Sequence, residues 1–222
     1  MPPTWLQGRT SYGGLSAALA LETARDLVPD APPLRSAQIS FVGPLSGEVS
    51  VTAEILRQGR NATFVEARVR GEMGVGLTAT FVFMAPMDSK VDLAEHPMPP
   101  VPAPEEASGG AYLHDNFFFN NFNWRYGLPK PDAPEARQAD INRWVQLKER
   151  DSPNGRGLDP MTELIAIADA TPPAAMPLMT GGFGPISSMT WLINVLMPVP
   201  ATREGWWFLR SQSNYARAGC SS

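Results

Sequence analysis

Apolar residues recur along the chain with two different spacings, and these spacings predict its secondary structure. Residues 15–28 and 161–168 are apolar on almost every side, which is typical of helices buried in a core. Other segments alternate apolar and polar residues, as half-buried strands do. In the first half these segments are residues 36–42, 48–58, 63–70 and 74–84. The first half is therefore predicted as an α+β unit in which an antiparallel sheet wraps a central helix.

The second half of the chain repeats this order of elements. Its helix, residues 161–168, is predicted to begin with Asp159 as N-cap and Pro160 as the first helical residue. In both halves a proline-rich break follows the helix, then a strand that ends at a proline, then a long strand that begins at Glu48 or Glu204. We interpret this order as a duplication of a unit of roughly 100 residues. The strands predicted in the second half are residues 116–126, 139–149, 186–197 and 204–215.

The duplication divides the chain into three parts. These are an N-terminal unit of residues 1–86, a proline-rich linker of residues 87–111 and a C-terminal unit of residues 112–222. In the first unit two strands follow the turn near Arg60, whereas few residues follow the matching turn near Arg217. We therefore expect the second unit to lack its last strands, either because the chain is truncated or because another segment completes the sheet.

Composition places the chain among ordinary globular proteins and leaves little material for several kinds of site. Of its 222 residues, 43% are hydrophobic and 18% charged, and the net charge of −4 gives no reason to expect nucleic acid or an anionic membrane as partner. One cysteine, Cys220, excludes an internal disulfide, and two histidines, His96 and His114, leave almost nothing for a zinc site. No secretory signal and no apolar run of about 20 residues is visible, so we expect a cytoplasmic protein.

Asp169 is the residue that departs most clearly from the local rules. It ends the second apolar helix, where a negative charge faces the unfavourable end of the helix dipole at a cost of roughly 0.3–1 kcal/mol. Such departures concentrate at functional sites. From the pattern alone, a functional carboxylate and a residue that merely occupies the turn before Pro172 are equally acceptable interpretations.

Several motifs, taken together, resemble the type II acyl-CoA thioesterase family. They are the Tyr12-Gly13-Gly14 helix start, LRSAQISFVGP at 34–44, RQGR at 57–60, the proline-rich spacer, IAIADATPPAAMP at 165–177 and ISSMTWLINVLMP at 186–198. The resemblance covers nearly the whole chain. It implies a double hotdog fold: two tandem units, each with a long central helix wrapped by an antiparallel sheet.

The resemblance also implies a catalytic trio of a carboxylate, a hydroxyl and a glutamine. Asp169 matches the carboxylate, and its apolar neighbours are expected to raise its pKa by desolvation, which suits a general base. The hydroxyl belongs at the start of the strand after the Gly-rich turn, where both Ser188 and Thr190 are candidates. The glutamine cannot be assigned, because Gln212 lies on an earlier strand than the family's glutamine.

Two further features of the helices have a functional and a structural interpretation. The backbone N–H groups of Gly13 and Gly14 could bind substrate by polarising a thioester carbonyl at a helix N-terminus, or the glycines could simply allow a tight helix entry. Glu22, inside the first helix, could be the relic of a second active site or a structural partner.

The function implied by the resemblance is hydrolysis of a fatty acyl-CoA to free acid and CoA by direct attack of water. No metal or cofactor is expected, since CoA is part of the substrate, and we expect a homo-oligomer. One alternative is a non-catalytic acyl-CoA-binding hotdog protein. Another is a hotdog hydratase or dehydratase, which is less favoured because those enzymes pair a histidine with a helix carboxylate and neither predicted helix contains histidine.

Overall fold

The first half of the chain folds around one helix. In a computed structural model that describes residues 1–93, 95, 98–110, 118–127, 138–150, 157–179, 186–197, 200–202 and 204–222, a short hairpin leads into this helix. The hairpin consists of β1 (Leu6–Gln7) and β2 (Thr10–Ser11), and the helix is α1 (Gly13–Leu27). Alanine and leucine favour the helix, and Pro29 follows its end. His96, His114 and the Gly-rich turn of residues 180–185 lie outside the described residues.

Four antiparallel strands follow α1, as predicted from the alternating pattern. They are β3 (Leu34–Phe41), β4 (Ser50–Gln58), β5 (Ala62–Gly71) and β6 (Gly74–Met84), hydrogen-bonded in the order β3-β6-β5-β4. The helix packs across β4, β5 and β6. Its buried face carries small residues, so the sheet approaches closely. The principal buried side chains of this core are Ala17, Ala20, Leu21, Ala24, Ile39, Val65, Ala67, Val69, Leu77, Ala79 and Phe81.

The second half contributes strands to the first sheet, to a second sheet of four strands and to a two-stranded hairpin. Its elements are β7 (Gly109–Gly110), β8 (Phe122–Tyr126), β9 (Asp140–Leu147), α2 (Pro160–Ala168), β10 (Thr190–Asn194), β11 (Trp206–Gln212), β12 (Ala216–Arg217) and β13 (Cys220–Ser221). β10 joins the first sheet beside β3. The second sheet consists of four strands in the order β11-β9-β8-β7. The arrangement is the α+β architecture expected of a double hotdog.

Several predicted strands of the second half are shorter than expected. β8 begins at Phe122, after a 3-10 helix over Phe118–Asn121, although we predicted a strand from residue 116, and β11 covers only Trp206–Gln212 of the predicted residues 204–215.

We predicted a strand over residues 186–197, but β10 begins at Thr190, opposite Ser40, and ends at Asn194, opposite Ser36. The prediction was wrong at both ends because apolar alternation continues beyond the residues that β3 can pair. Ser188 therefore precedes the strand, and it does not share a strand face with Thr190.

The two helices run antiparallel to each other. Asp159 caps α2 as predicted, since its Oδ1 accepts hydrogen bonds from the backbone N–H groups of Met161 (2.9 Å) and Thr162 (3.1 Å). This start of α2 lies beside Arg25, in the last turn of α1. The end of α2 lies beside Gly14, in the first turn of α1. Each helix end therefore meets the beginning of the other helix.

Glu163 is a buried carboxylate that the sequence analysis overlooked. It lies in the first turn of α2, and its side chain is only 2% exposed. Arg150 donates to both of its oxygens, at 3.0 and 3.1 Å, and the indole N–H of Trp207 donates to Oε1 at 3.3 Å. A buried carboxylate is tolerated when it is paired and hydrogen-bonded in this way. Glu163 therefore ties α2 to β11 and to the segment after β9.

We expect Glu163→Ala to lower the free energy of unfolding by about 2–4 kcal/mol, because the substitution removes charge-assisted hydrogen bonds and leaves Arg150 and Trp207 without this partner. Urea unfolding of both proteins measures the difference. The matched control is Glu54→Ala, since Glu54 is 64% exposed and 3.9 Å from Arg68; it should change stability by less than about 0.5 kcal/mol. Equal effects of the two substitutions would contradict the anchoring role of Glu163.

Candidate active site

Asp169 lies where the end of α2 meets the start of α1. It is the C-cap of α2, and its Oδ2 accepts a hydrogen bond of 3.0 Å from the backbone N–H of Gly14. The carboxylate that opposes the dipole of its own helix therefore faces the positive end of the other helix. The unfavourable position predicted from sequence is offset by a tertiary contact.

The two glycines at the start of α1 are required by this close approach. A Cβ atom on Gly13 would lie 2.7 Å from Oδ2 of Asp169, which is closer than real Cβ contacts. A Cβ atom on Gly14 would collide with the carbonyl oxygen of Ala166. The tight helix entry and the site are therefore the same feature, because only glycine allows the backbone of α1 to meet the end of α2.

Tyr12 holds the last turn of α2 next to Gly14. Its side chain is fully buried, and its hydroxyl donates a 2.6 Å hydrogen bond to the carbonyl of Ala166, one of the carbonyls that a helix end leaves without a helical partner. Its ring stacks on that of Phe118, with 4.4 Å between centroids. Burial, together with the nearby charge of Asp169, raises the pKa of Tyr12, so the phenol stays neutral and donates. The Tyr12-Gly13-Gly14 motif alone did not predict this role for Tyr12.

The protonation of Asp169 is set by two opposing effects. Burial is the larger and raises its pKa to about 7, while the hydrogen bond from Gly14 lowers it. The residue as a whole remains partly exposed, since it lines a cavity. At neutral pH the carboxyl group is therefore divided between its charged and neutral forms, as expected of a general base.

The cavity beside Asp169 has a volume of about 530 Å³, within the usual range for small-molecule sites. Gly13 lines it next to the carboxylate, and hydroxyl groups from several elements surround the same space. These hydroxyl groups belong to Thr10, Ser11, Ser16, Thr171, Ser187 and Ser188. Large apolar residues form much of the remaining wall, namely Phe41, Leu45, Phe118, Phe119, Met176 and Ile186. A polar reacting group and an apolar chain could therefore occupy it together.

The two candidate hydroxyls have different surroundings. Both are exposed, but Ser188 lines the cavity with Asp169, whereas Thr190 lies opposite Ser40 in the sheet and is not among the described residues that line the cavity. Gln212 donates to Asp140 at 3.0 Å on the second sheet. Thr171, which the sequence analysis did not select, lines the cavity and shares a 2.6 Å hydrogen bond with Ser211.

Comparison with protein families matches both halves of the chain to acyl-CoA thioesterase domains, and solved structures share its fold. Residues 1–84 match the acyl-CoA thioesterase N-terminal domain, and residues 93–222 match the acyl-CoA thioesterase C-terminal domain. A putative thioesterase II from Thermobifida fusca YX superimposes with a TM-score of 0.79 at 22% identity, covering 99% of this chain and 82% of that one. No protein of curated function matches the chain.

Two further solved structures share the architecture. A conserved protein of unknown function with a hot dog fold from Alicyclobacillus acidocaldarius gives a TM-score of 0.73 at 18% identity, covering 90% of this chain and 72% of that one. The acyl-CoA thioesterase II TesB2 from Mycobacterium marinum gives 0.69 at 15% identity, covering 95% and 79%. These likenesses confirm the predicted hotdog fold. Neither helix in the described part of the chain is long and apolar enough to cross a membrane.

We expect Asp169→Asn to stabilise the protein at pH 8. An aspartate has a pKa of about 3.9 when unfolded, and the folded value here is about 7. Between these values the folded state holds a proton that the unfolded state has released, so wild-type stability falls as pH rises from 4 to 7. Asparagine does not titrate, so Asp169→Asn avoids this loss. Its free energy of unfolding should exceed that of wild type by about 1–3 kcal/mol at pH 8 and differ little at pH 4.

Urea unfolding at pH 4 and pH 8 measures this effect. Asp159→Asn is the control of opposite sign, because hydrogen bonds from Arg25 and from the start of α2 lower the pKa of Asp159 despite its partial burial. That control should be less stable than wild type at pH 8. The assignment of a raised pKa to Asp169 is wrong if Asp169→Asn gains no stability between pH 4 and pH 8.

Proposed function

The chain belongs to the acyl-CoA thioesterase family, a family of thioester hydrolases, and we propose that it hydrolyses a fatty acyl-CoA by direct attack of a water molecule that Asp169 activates. The observation that carries this proposal is the position of Asp169. Its carboxyl group is buried against the start of α1, is bound by the N–H of Gly14 and lines the cavity. A carboxylate with a pKa of about 7 is matched to proton transfer at neutral pH.

In the proposed reaction, a water molecule lies between Asp169 and Ser188. The carboxylate of Asp169 accepts a proton from this water as the water oxygen attacks the thioester carbon. The carbon–sulfur bond then breaks, and the CoA thiolate leaves and takes up a proton. Ser188 is the hydroxyl that we assign to hold the water, since it lines the same cavity as Asp169. The products are the free acid and CoA.

Direct attack is favoured over a covalent serine intermediate by the chemistry of the cavity. A serine nucleophile needs an adjacent general base. Among the described residues that line the cavity, Asp169 is the only titratable side chain, and direct attack uses it once, whereas a serine intermediate would need it to activate the serine and then again to activate water. A single carboxylate suffices to activate one water molecule, so the mechanism needs no second base and no cofactor.

The start of α1 is also suited to the negative charge that develops on the thioester oxygen. Backbone N–H groups at a helix N-terminus are donors, and the helix dipole favours an anion there. The N–H of Gly14 is used by Asp169, whereas Gly13 lines the cavity at the first position of the helix. We therefore assign polarisation of the thioester carbonyl to Gly13 and positioning of the base to Gly14. The apolar wall of the cavity suits an alkyl chain.

Asp169→Asn is expected to lower kcat/KM for acyl-CoA hydrolysis by at least about 100-fold, because asparagine cannot accept the proton from water. Release of free thiol from acyl-CoAs of increasing chain length measures the rate. Asp30→Asn, at an exposed position, is the matched control and should hydrolyse the series like wild type. Full activity in Asp169→Asn would falsify the assignment of the base. Tight binding of acyl-CoA by the wild type without turnover would favour a binding protein instead.

The pH dependence of the same assay gives an independent measure of the base. Hydrolysis requires the carboxylate form, so kcat/KM should rise with pH and level off above a midpoint near 7. A midpoint near 4, the ordinary value for aspartate, would mean that the active carboxylate is not the buried one.

Removing the hydroxyl groups of Ser188 and Thr190 one at a time tests which of them holds the attacking water. Ser188→Ala is expected to reduce kcat about tenfold, because the attacking water loses a hydrogen-bonding partner. Thr190→Val keeps the shape of an exposed strand residue and should leave kcat within about twofold of wild type. Steady-state kinetics of the two variants decide the assignment, and the opposite ranking would transfer the role to Thr190.

A further inference from the structure

The cavity at Asp169 has a counterpart at the other end of the helix pair. β3 and β10 pair antiparallel, and in the sequence a proline follows each of them, Pro44 in the first half and Pro198 in the second. Aligning the two halves on these prolines exchanges Gln38 with Leu192, the central pair of the β3–β10 ladder, and exchanges Leu34 with Ser188. The duplication therefore identifies which residue occupies the place of Ser188 in the first half.

The helices obey the same exchange. Gly13 is the first residue of α1 and Pro160 the first of α2. Counted from these residues, Glu22 and Asp169 occupy the same position in their helices. A second cavity of about 510 Å³ is lined by Pro160, Glu22 and Leu34, the counterparts of the three residues Gly13, Asp169 and Ser188 that line the first cavity. The duplication thus extends from the fold to the cavities.

The second cavity has lost the groups that the proposed reaction uses. Leu34 stands in place of the serine, so this position offers no hydroxyl. The N–H groups of Met161 and Thr162 are capped by the side chain of Asp159. The corresponding N–H of Gly14 in the other helix is instead the one that holds the catalytic carboxylate. A carboxylate in the second cavity therefore meets a helix start whose donors are already used.

The carboxylate that remains is held in a polar cluster between the helices. Glu22 accepts a hydrogen bond from the hydroxyl of Thr162. It also forms an ion pair with Arg25, at a distance of 3.4 Å. Arg25 also forms an ion pair with Asp159 and approaches the hydroxyl of Thr162 at 3.4 Å. These four residues, which we call the interhelix clamp, join the last turns of α1 to the first turn of α2. Arg25 is their common partner.

We propose that the interhelix clamp, with Arg25 at its centre, is a positioning device for Asp169: it fixes α2 along α1, so that the far end of α2 meets Gly14. This role rests on the proposed function. α2 is a rigid rod of nine residues, with about 1.5 Å of rise per residue, so a slide at its start moves Asp169 by the same amount. A displacement of about 1 Å in a catalytic group can cost about 100-fold in rate.

The apolar packing of α2 in the core that it shares with α1 is not directional, so polar contacts decide the position of α2 along α1. Glu163 ties α2 to Arg150 and Trp207, which lie outside α1. Tyr12 and Gly14 bind the end of α2, next to the site itself. Arg25 and Asp159 are each about one-third exposed, so a single pair between them would contribute little. A network of several charged groups is the case in which such pairs become effective.

The test uses Arg25→Gln, Arg25→Lys, Asp159→Asn and the double variant Arg25→Gln/Asp159→Asn. Arg25→Gln should lower kcat about tenfold and leave KM within about twofold, because Arg25 is remote from the substrate cavity. Arg25→Lys, which keeps the charge, should lie between this variant and wild type. The double variant should recover at least half of the loss, since glutamine and asparagine can hydrogen-bond to each other and asparagine still caps α2. Arg217→Gln, at an exposed position, is the control.

A second readout does not depend on activity. The ¹³C resonance of the Asp169 carboxyl group, assigned by its loss in Asp169→Asn, reports its titration in each variant. In Arg25→Gln the midpoint should move by at least about half a pH unit from its wild-type value, because a displaced α2 changes both the burial that raises the pKa of Asp169 and the hydrogen bond from Gly14 that lowers it. The double variant should return it toward the wild-type value.

The outcomes separate this proposal from the proposed function. If Arg25→Gln leaves kcat and the Asp169 titration as in wild type, the clamp does not position Asp169. The same conclusion follows if activity falls only in proportion to the fraction of unfolded protein while the titration is unchanged, or if the double variant is no better than Arg25→Gln. If wild type hydrolyses no acyl-CoA, the proposed function fails, and the titration alone then decides whether the clamp holds Asp169.

Discussion

The contact between the end of α2 and the start of α1 is the constraint on which the site depends. The N–H of Gly14 binds Asp169, and this requires two backbones to approach more closely than any side chain at Gly13 or Gly14 would permit. Tyr12 stabilises the approach because it supplies the donor that the Ala166 carbonyl lacks at the helix end. The Tyr-Gly-Gly sequence therefore supplies three parts of one joint: a donor for the neighbouring helix, space, and an N–H for the carboxylate.

The electrostatics of Asp169 follow from the same joint. Burial favours the neutral acid, whereas the N–H of Gly14 and the positive end of α1 favour the carboxylate. Burial is the larger effect, and the balance of the two is a pKa of about 7, which suits the proposed general base at neutral pH. Because the folded state bears the cost of a buried charge, the proposed site lowers stability where it favours proton transfer, as active sites commonly do.

The sequence predicted those features that local patterns determine. The two helices, the four strands after α1 and the Asp159 cap follow from spacing and capping chemistry, and the structure confirms them. Asp169 could be singled out because it breaks a local rule, but its partner Gly14 is 155 residues away and no local signal joins them. Glu163 was overlooked because one carboxylate does not interrupt an apolar pattern, and the choice between Ser188 and Thr190 depends on where β3 stops pairing with β10.

The sequence separation between Asp169 and Gly14 has a consequence for the order of folding. Contacts between residues far apart in sequence form slowly, because a long loop must close before they are gained. The N-terminal half emerges first during synthesis and can form its own helix and four-stranded sheet from contacts within residues 13–84. Asp169, the proposed general base, reaches its place only when the second helix docks on the first. A nascent or half-folded chain therefore contains the start of α1 without its carboxylate, and the proposed activity requires that docking.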